Sequence, residues 1–142
     1  MDDNDFYTLR GYDRLDKSAI STTMEDYLEM ICRIVREKKF VRVNQLAGLL
    51  NVTPPSASKM VNKLKEIGMV DFEPYGIIQV TKEGERLGDY LLHRHEVLNR
   101  FFCRINATSN ELELVEKIEH FMDQRTVANL ESWLEDNSDK SQ

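Results

Sequence analysis

The sequence predicts a mainly α-helical chain, in which a winged helix-turn-helix unit is followed by a helical domain. Three observations carry that expectation. Residues 43–68 set capping residues and apolar positions in the order of two short helices joined by a tight turn. Residues 69–81, MVDFEPYGIIQVT, follow as two β-prone runs around a Glu-Pro-Tyr-Gly turn, the pattern of a wing. Amphipathic helical patterns then fill most of residues 82–134, with no internal repeat and no glycine-rich phosphate loop.

At 142 residues the chain suits one ordinary domain or two small ones sharing a hinge or dimer interface. The expected division is an N-terminal arm over 1–21, the winged helix-turn-helix over 22–89 and a helical domain over 90–142. The first helix should run from about Thr23 to Lys38, capped by Thr22 or Thr23, with Tyr27, Leu28, Ile31, Ile34 and Val35 facing its core. Asn44 should cap a short helix carrying Leu46, Ala47, Leu49 and Leu50, and Asn51 and Val52 should turn the chain. Thr53 caps the next helix with Pro54 in its first position. That helix buries Ala57, Met60, Val61, Leu64 and Ile67 and stops at Gly68. Strands Met69–Phe72 and Ile77–Val80 form the wing. A long helix from Lys82 to Ile105 carries the stripe Leu87, Leu91, Leu98, Phe101, Phe102 and Ile105. Helices over Glu111–Phe121 and Gln124–Leu134 complete the chain, the last packing through Val127, Leu130, Trp133 and Leu134.

No apolar run approaches the roughly 20 residues of a spanning helix, and the acidic start MDDNDFYTLRGYDRLDK does not read as a secretory signal, so a cytoplasmic protein is expected. Cys32 and Cys103 fit no metal or redox spacing and read as reduced thiols. The net charge of −6 argues weakly against a nucleic-acid partner, but it is unevenly spread. Residues 105–142 hold 3 basic and 9 acidic groups, whereas residues 41–65 hold Arg42, Lys59, Lys63 and Lys65 and no acid. A local basic face is what phosphate contact requires. On the second helix of the helix-turn-helix, Ser56, Ser58, Lys59, Asn62 and Lys63 face outward. Their hydroxyls and amide suit base edges, and the lysines suit phosphates. Thr53 and Pro55 at the helix start, Arg42 before it and Tyr75 at the wing tip complete the candidate DNA-binding set; the bland alternative is an ordinary solvated face.

Three further segments carry side chains fit for a hard metal ion: Asp26 and Glu29, then His95, then Glu116, Glu119 and His120. Four carboxylates and two imidazoles without a thiolate are donors that a manganese-type or ferrous ion prefers. Asp26 and Glu29 lie about 60° apart on a helix, away from its apolar stripe. Glu116, Glu119 and His120, at i, i+3 and i+4, share one flank beside Leu112, Val115, Ile118 and Met122. Measured from Leu98, His95 falls at about 60° and His93 at about 140° on the other side, so His95 can reach a site between helices and His93 should meet solvent or DNA. Each segment alone also fits a solvated acidic face or, for Asp26 and Glu29, acids suited to the helix dipole.

The strings TTMEDYLEMI, VTPPSASKMVNKLKEIG, HRHEVL and VEKIEH, in that order, resemble the diphtheria-toxin-repressor family and are most similar to its manganese-transport-regulator branch. The similarity covers residues 22 to about 134. It implies a winged helix-turn-helix repressor with a helical metal-binding and dimerisation domain, and the chain ends without the SH3-like third domain of longer relatives. It further implies a binuclear site made by Asp26, Glu29, His95, Glu116, Glu119 and His120. Asp26 and His95 would serve one ion and His120 the other, with Glu29, Glu116 and Glu119 between or shared. Iron-responsive relatives carry softer sulfur ligands where Asp26 and Glu116 stand here. Two features depart from the pattern: the arm of about 20 residues is longer, and the loop Asn106–Asn110 is one residue shorter.

The expectation is therefore a non-enzymatic homodimer that binds a palindromic double-stranded DNA operator in response to Mn²⁺, two ions per subunit, with no membrane partner. Fe²⁺, Co²⁺, Zn²⁺ or Cd²⁺ are also admitted by these donors. The alternatives are an iron-responsive regulator of the same family or a winged-helix sensor of an organic ligand or oxidant. A carboxylate-bridged di-metal enzyme fits less well, since such bundles pair two Glu-x-x-His motifs and Glu-x-x-Glu-His occurs once here.

Overall fold

The computed structural model describes residues 20–73 and 76–138. The proposed arm, apart from its last two residues, and Tyr75 at the wing tip lie outside the described residues. Helix α1 spans Thr22–Lys38, strand β1 Val41–Arg42, helix α2 Val43–Leu50 and helix α3 Pro54–Glu66. Strands β2 (Val70–Phe72) and β3 (Ile77–Val80) follow, then helices α4 (Lys82–Asn106), α5 (Leu112–Ile118) and α6 (Gln124–Asp136). A 3₁₀ turn over Glu119–Phe121 links the last two.

Local signals set most of these boundaries. The Thr53 hydroxyl accepts from the Ser56 amide at 3.3 Å and Pro54 opens α3, while Gly68 takes φ +81° just past its end. Thr81 caps α4 through the Gly84 amide at 3.1 Å. Two expected caps move. Ser21, rather than Thr22 or Thr23, caps α1 by accepting from the Met24 amide at 3.2 Å. Asn44 lies inside α2, because residues 41 and 42 are drawn into a strand, Val41 opposite Ile78 and Arg42 opposite Ile77. That strand was not expected from the sequence. It makes a three-stranded antiparallel sheet in the order β1-β3-β2, with Val70 opposite Val80 and Phe72 opposite Ile78.

The main core lies under the helix-turn-helix, where Leu28 and Ile31 of α1 meet Leu46, Ala57, Val61, Leu64, Ile78 and Leu91. A second, smaller cluster joins Val97 of α4 to Val127 and Leu134 of α6. Helix α4, roughly 37 Å long at 1.5 Å per residue, runs through both and through the expected boundary at residue 89. Four of the expected apolar positions are largely exposed: Leu49 at 54%, Ile105 at 53%, Leu112 at 43% and Trp133 at 40%. The expected helix Glu111–Phe121 is shorter, since its last turn tightens to 3₁₀ with Met122 N–H on the Glu119 carbonyl at 3.2 Å. Among the described residues no helix is long and apolar enough to cross a membrane.

Helix α4 starts so close to the end of α3 that a Cβ on Gly84 would overlap the Met69 carbonyl oxygen and crowd Val80. Backbone cannot rotate away as a side chain can. Gly84→Ala is therefore expected to lower stability by about 1–3 kcal/mol or more, as overpacking does. A urea midpoint equal to that of the unsubstituted protein would refute this.

Candidate metal centre and nucleic-acid face

All six expected donors come together. Glu29, His95, Glu116 and Glu119 form one group and Asp26, Glu119 and His120 a second, each with ligand atoms within 4.8 Å of one another. The two groups share Glu119, which is fully buried. Its Oε2 lies 2.8 Å from His95 Nδ1, and its Oε1 has no hydrogen-bond partner. His95 Nδ1 also faces Glu29 at 3.5 Å and Glu116 at 3.7 Å. Asp26 Oδ1 sits 2.7 Å from His120 Nε2. In this arrangement Asp26 stands with His120, whereas the resemblance implied that it would stand with His95. Glu119 and His120 are consecutive in the 3₁₀ turn, and Glu119 meets His95 while His120 meets Asp26.

Burial and close acid–imidazole contacts shape the electrostatics. Burial, reinforced by the charge of Glu119 and partly offset by Arg33, pushes the Glu29 carboxyl up to about 7. Burial and then Glu119 also raise Glu116. Glu119 itself is held low in spite of burial, because His95 and Glu29 donate hydrogen bonds to it. Hydrogen bonds to Asp26 and then Glu25 lift the His120 imidazole to about 10, and the bond to Glu119 raises His95. Protons here occupy places that cations could fill. A hard-oxygen and imidazole donor set, with one buried carboxylate oxygen left unpartnered, fits a divalent ion.

Three neighbours escaped the sequence reading. Glu25 Oε1 lies 2.9 Å from His120 Nδ1, and Arg94, 3% exposed, approaches Glu25 at 3.4 Å. Arg33 holds Glu29 at 3.0 Å. Arg94 did carry a signal: it falls three residues after Leu91 and four before Leu98, on the apolar stripe itself. His93 is exposed, in line with the expectation that it points to solvent or DNA, and its Nε2 also pairs with Glu131 of α6 at 3.0 Å.

On the opposite end, Pro55, Ser56, Lys59, Asn62 and Lys63 are exposed along α3, with Ser58 half-buried. Arg42, Pro55, Ser58 and Asn62 line a cleft between the start of α3 and the wing. The Thr53 and Ser56 hydroxyls bond each other at 2.9 Å, so Thr53 serves the helix cap. Lys65 is turned to the Phe72 carbonyl at 2.7 Å and ties α3 to the wing.

A family model described as the iron dependent repressor N-terminal DNA binding domain matches residues 19–78, and that of the iron dependent repressor metal binding and dimerisation domain matches residues 81–140. The HTH-type transcriptional regulator MntR of Lysinibacillus sphaericus (strain C3-41) is 36% identical over 121 residues, covering 82% of this chain and 87% of its own. A regulator with the same name from Oceanobacillus iheyensis is 37% identical over 101 residues, covering 70% and 69%. Among solved structures, a manganese-dependent transcriptional repressor in complex with manganese aligns with TM-score 0.71 at 27% identity, over 78% of this chain and 52% of that one. The manganese regulator SloR aligns with TM-score 0.69 at 25% identity, over 79% and 53%. This chain thus spans about half the length of those two solved chains.

The raised groups fix the pH response of the metal-free protein. Glu29, raised to about 7 from 4.5, and His120, raised to about 10 from 6.5, both bind protons more tightly folded than unfolded. Their contribution is complete at acid pH and lost as pH rises, first through about 7 and then through about 10. With a chelator present, the thermal midpoint should fall across that window, and His120→Gln should remove the part above neutrality. A midpoint that rises with pH would contradict the assignment.

Proposed function

The chain belongs to the iron-dependent repressor family, and on that footing we propose that it represses transcription by binding double-stranded DNA in response to divalent metal, with manganese as the effector. It would control genes for uptake or efflux of that metal. One observation carries the reading. Donors from α1, from α4 and from residues 116–120 converge, although no apolar cluster among the described residues joins α1 to that last segment.

One ion in each donor group, two per subunit, would supply the positive charge that the ionised carboxylates need to stay together. Glu29, His95, Glu116 and Glu119 would hold one; Asp26, His120 and a shared Glu119 the other. With that charge present, Asp26 and Glu29 fix α1 against α4 and the turn at 119–121. Helix α1 also packs on α3 and β3, so its placement sets the placement of the DNA-reading helix. A homodimer with two such helices suits a palindromic operator whose half-sites lie about one helical turn apart. Lys59 and Lys63 would hold phosphates, while Ser56, Ser58 and Asn62 meet base edges. Manganese is favoured over iron by the names of the relatives and by a donor set without sulfur.

Operator binding measured across buffered divalent metals tests this. Affinity should rise steeply with Mn²⁺ at concentrations where Fe²⁺ has little effect, and the Glu116→Ala, His120→Ala double variant should not respond to Mn²⁺. DNA affinity indifferent to added Mn²⁺ rules the mechanism out. Lys59→Ala or Lys63→Ala should each lower the slope of log affinity against log salt by about 1; an unchanged slope would remove that lysine from the phosphate contacts.

A further inference from the structure

We propose that Glu25 and Arg94 are positioning residues for His120. Glu25 accepts the Nδ1 proton and Arg94 steadies Glu25, so that Nε2 is presented to the group formed with Asp26 and Glu119. The inference rests on the reading of this cluster as a divalent-metal site.

Consecutive residues of α1 grip opposite nitrogens of one ring: Glu25 Oε1 is 2.9 Å from Nδ1 and Asp26 Oδ1 is 2.7 Å from Nε2. Arg94 Nη2 lies 3.4 Å from Glu25 Oε1 and also 3.4 Å from His120 Nδ1. A guanidinium and a protonated Nδ1 are both donors and cannot bond each other. The shorter contact decides the proton: Nδ1–H donates to Glu25, and Arg94 donates to the same carboxylate. The Arg94 side chain is 4% exposed and its Nε has no hydrogen-bond partner, so its charge is balanced inside the fold by the nearby Glu25. Its guanidinium also sits 5.8 Å from the centre of the Tyr90 ring, which limits where it can swing.

A carboxylate behind the outer nitrogen of a ligating histidine fixes the ring and its tautomer and makes the inner nitrogen a better donor. His95 is built differently. Its Nδ1 faces Glu119, Glu29 and Glu116, all three of them members of its own donor group. The two donor groups are therefore unequal, and loss of Glu25 should be felt by one of them.

Titration of the full chain with Mn²⁺, followed by calorimetry, reads this directly. Glu25→Ala should weaken one of the two binding steps by about 10–100-fold and leave the other within a factor of about three. Glu25→Gln keeps the shape and an oxygen acceptor and should fall between, which guards against a variant that fails to fold. In the Zn²⁺-loaded protein, long-range nitrogen–proton spectra should show a protected Nδ1–H on His120 that is lost in Glu25→Ala and weakened in Arg94→Lys. Equal weakening of both steps, no weakening, or an Nδ1–H that persists in Glu25→Ala overturns the positioning role while the metal site stands. An unsubstituted protein that takes up no Mn²⁺ overturns both.

Discussion

A carboxylate that is fully removed from solvent organises this molecule. Glu119 has no exposed surface, yet only one of its oxygens is satisfied by a hydrogen bond, at 2.8 Å from His95 Nδ1. Burying an ionised carboxylate costs several kcal/mol unless opposite charge is brought to it. The surroundings supply that charge from three directions. His95 comes from α4, His120 follows in the same 3₁₀ turn with Nε2 at 3.9 Å from Glu119, and Arg33 on α1 compensates the neighbouring Glu29. The same demand ties the 112–121 segment to α1, while Val115 is its fully buried apolar side chain.

Apolar packing and polar packing divide the labour between the two ends of the chain. Met24, Tyr27, Leu28 and Ile31 of α1 belong to the core under the helix-turn-helix, and Val97 of α4 makes a separate cluster with Val127 and Leu134 of α6. Helix α4 is common to both and behaves as a rod. Nothing in either cluster joins α1 to residues 112–121, so that joint depends on Asp26, Glu29, Glu119 and His120. Hydrophobic contact is insensitive to ions, whereas a joint made of carboxylates and imidazoles changes strength with the cations or protons it holds. A response to metal concentration needs an element of the second kind, next to a DNA-reading unit built of the first.

What could be read from the sequence follows the range of the forces involved. Thr53 before Pro54, Gly68 after α3 and the 3–4 spacing of Ala57, Val61 and Leu64 are local, and the helices they define match the structure closely. Strand β1 depends on pairing with Ile77 and Ile78, some 36 residues away, and it displaced the cap expected at Asn44. Helical angles pointed to His95 rather than His93, while the set of six donors was what the family resemblance implied. Those angles could not show that Glu119 belongs to both donor groups, which depends on how the 3₁₀ turn seats it between His95 and His120. Glu25 carried no signal that set it apart from other acids near a helix start; only the position of the His120 ring between Glu25 and Asp26 gives each its own nitrogen.

Charge sorting along the chain supports the same division. The acidic excess lies after residue 105, and the lysines of α3 lie at the far end of the helix-turn-helix, so the whole-chain value of −6 hides two opposite surfaces. Phosphate attracts through the local field, which decays within a Debye length of about 8 Å at physiological salt. The clustered carboxylates can thus answer to a cation while the basic face answers to phosphate. Helix α1, which touches both, is the element through which the one can inform the other.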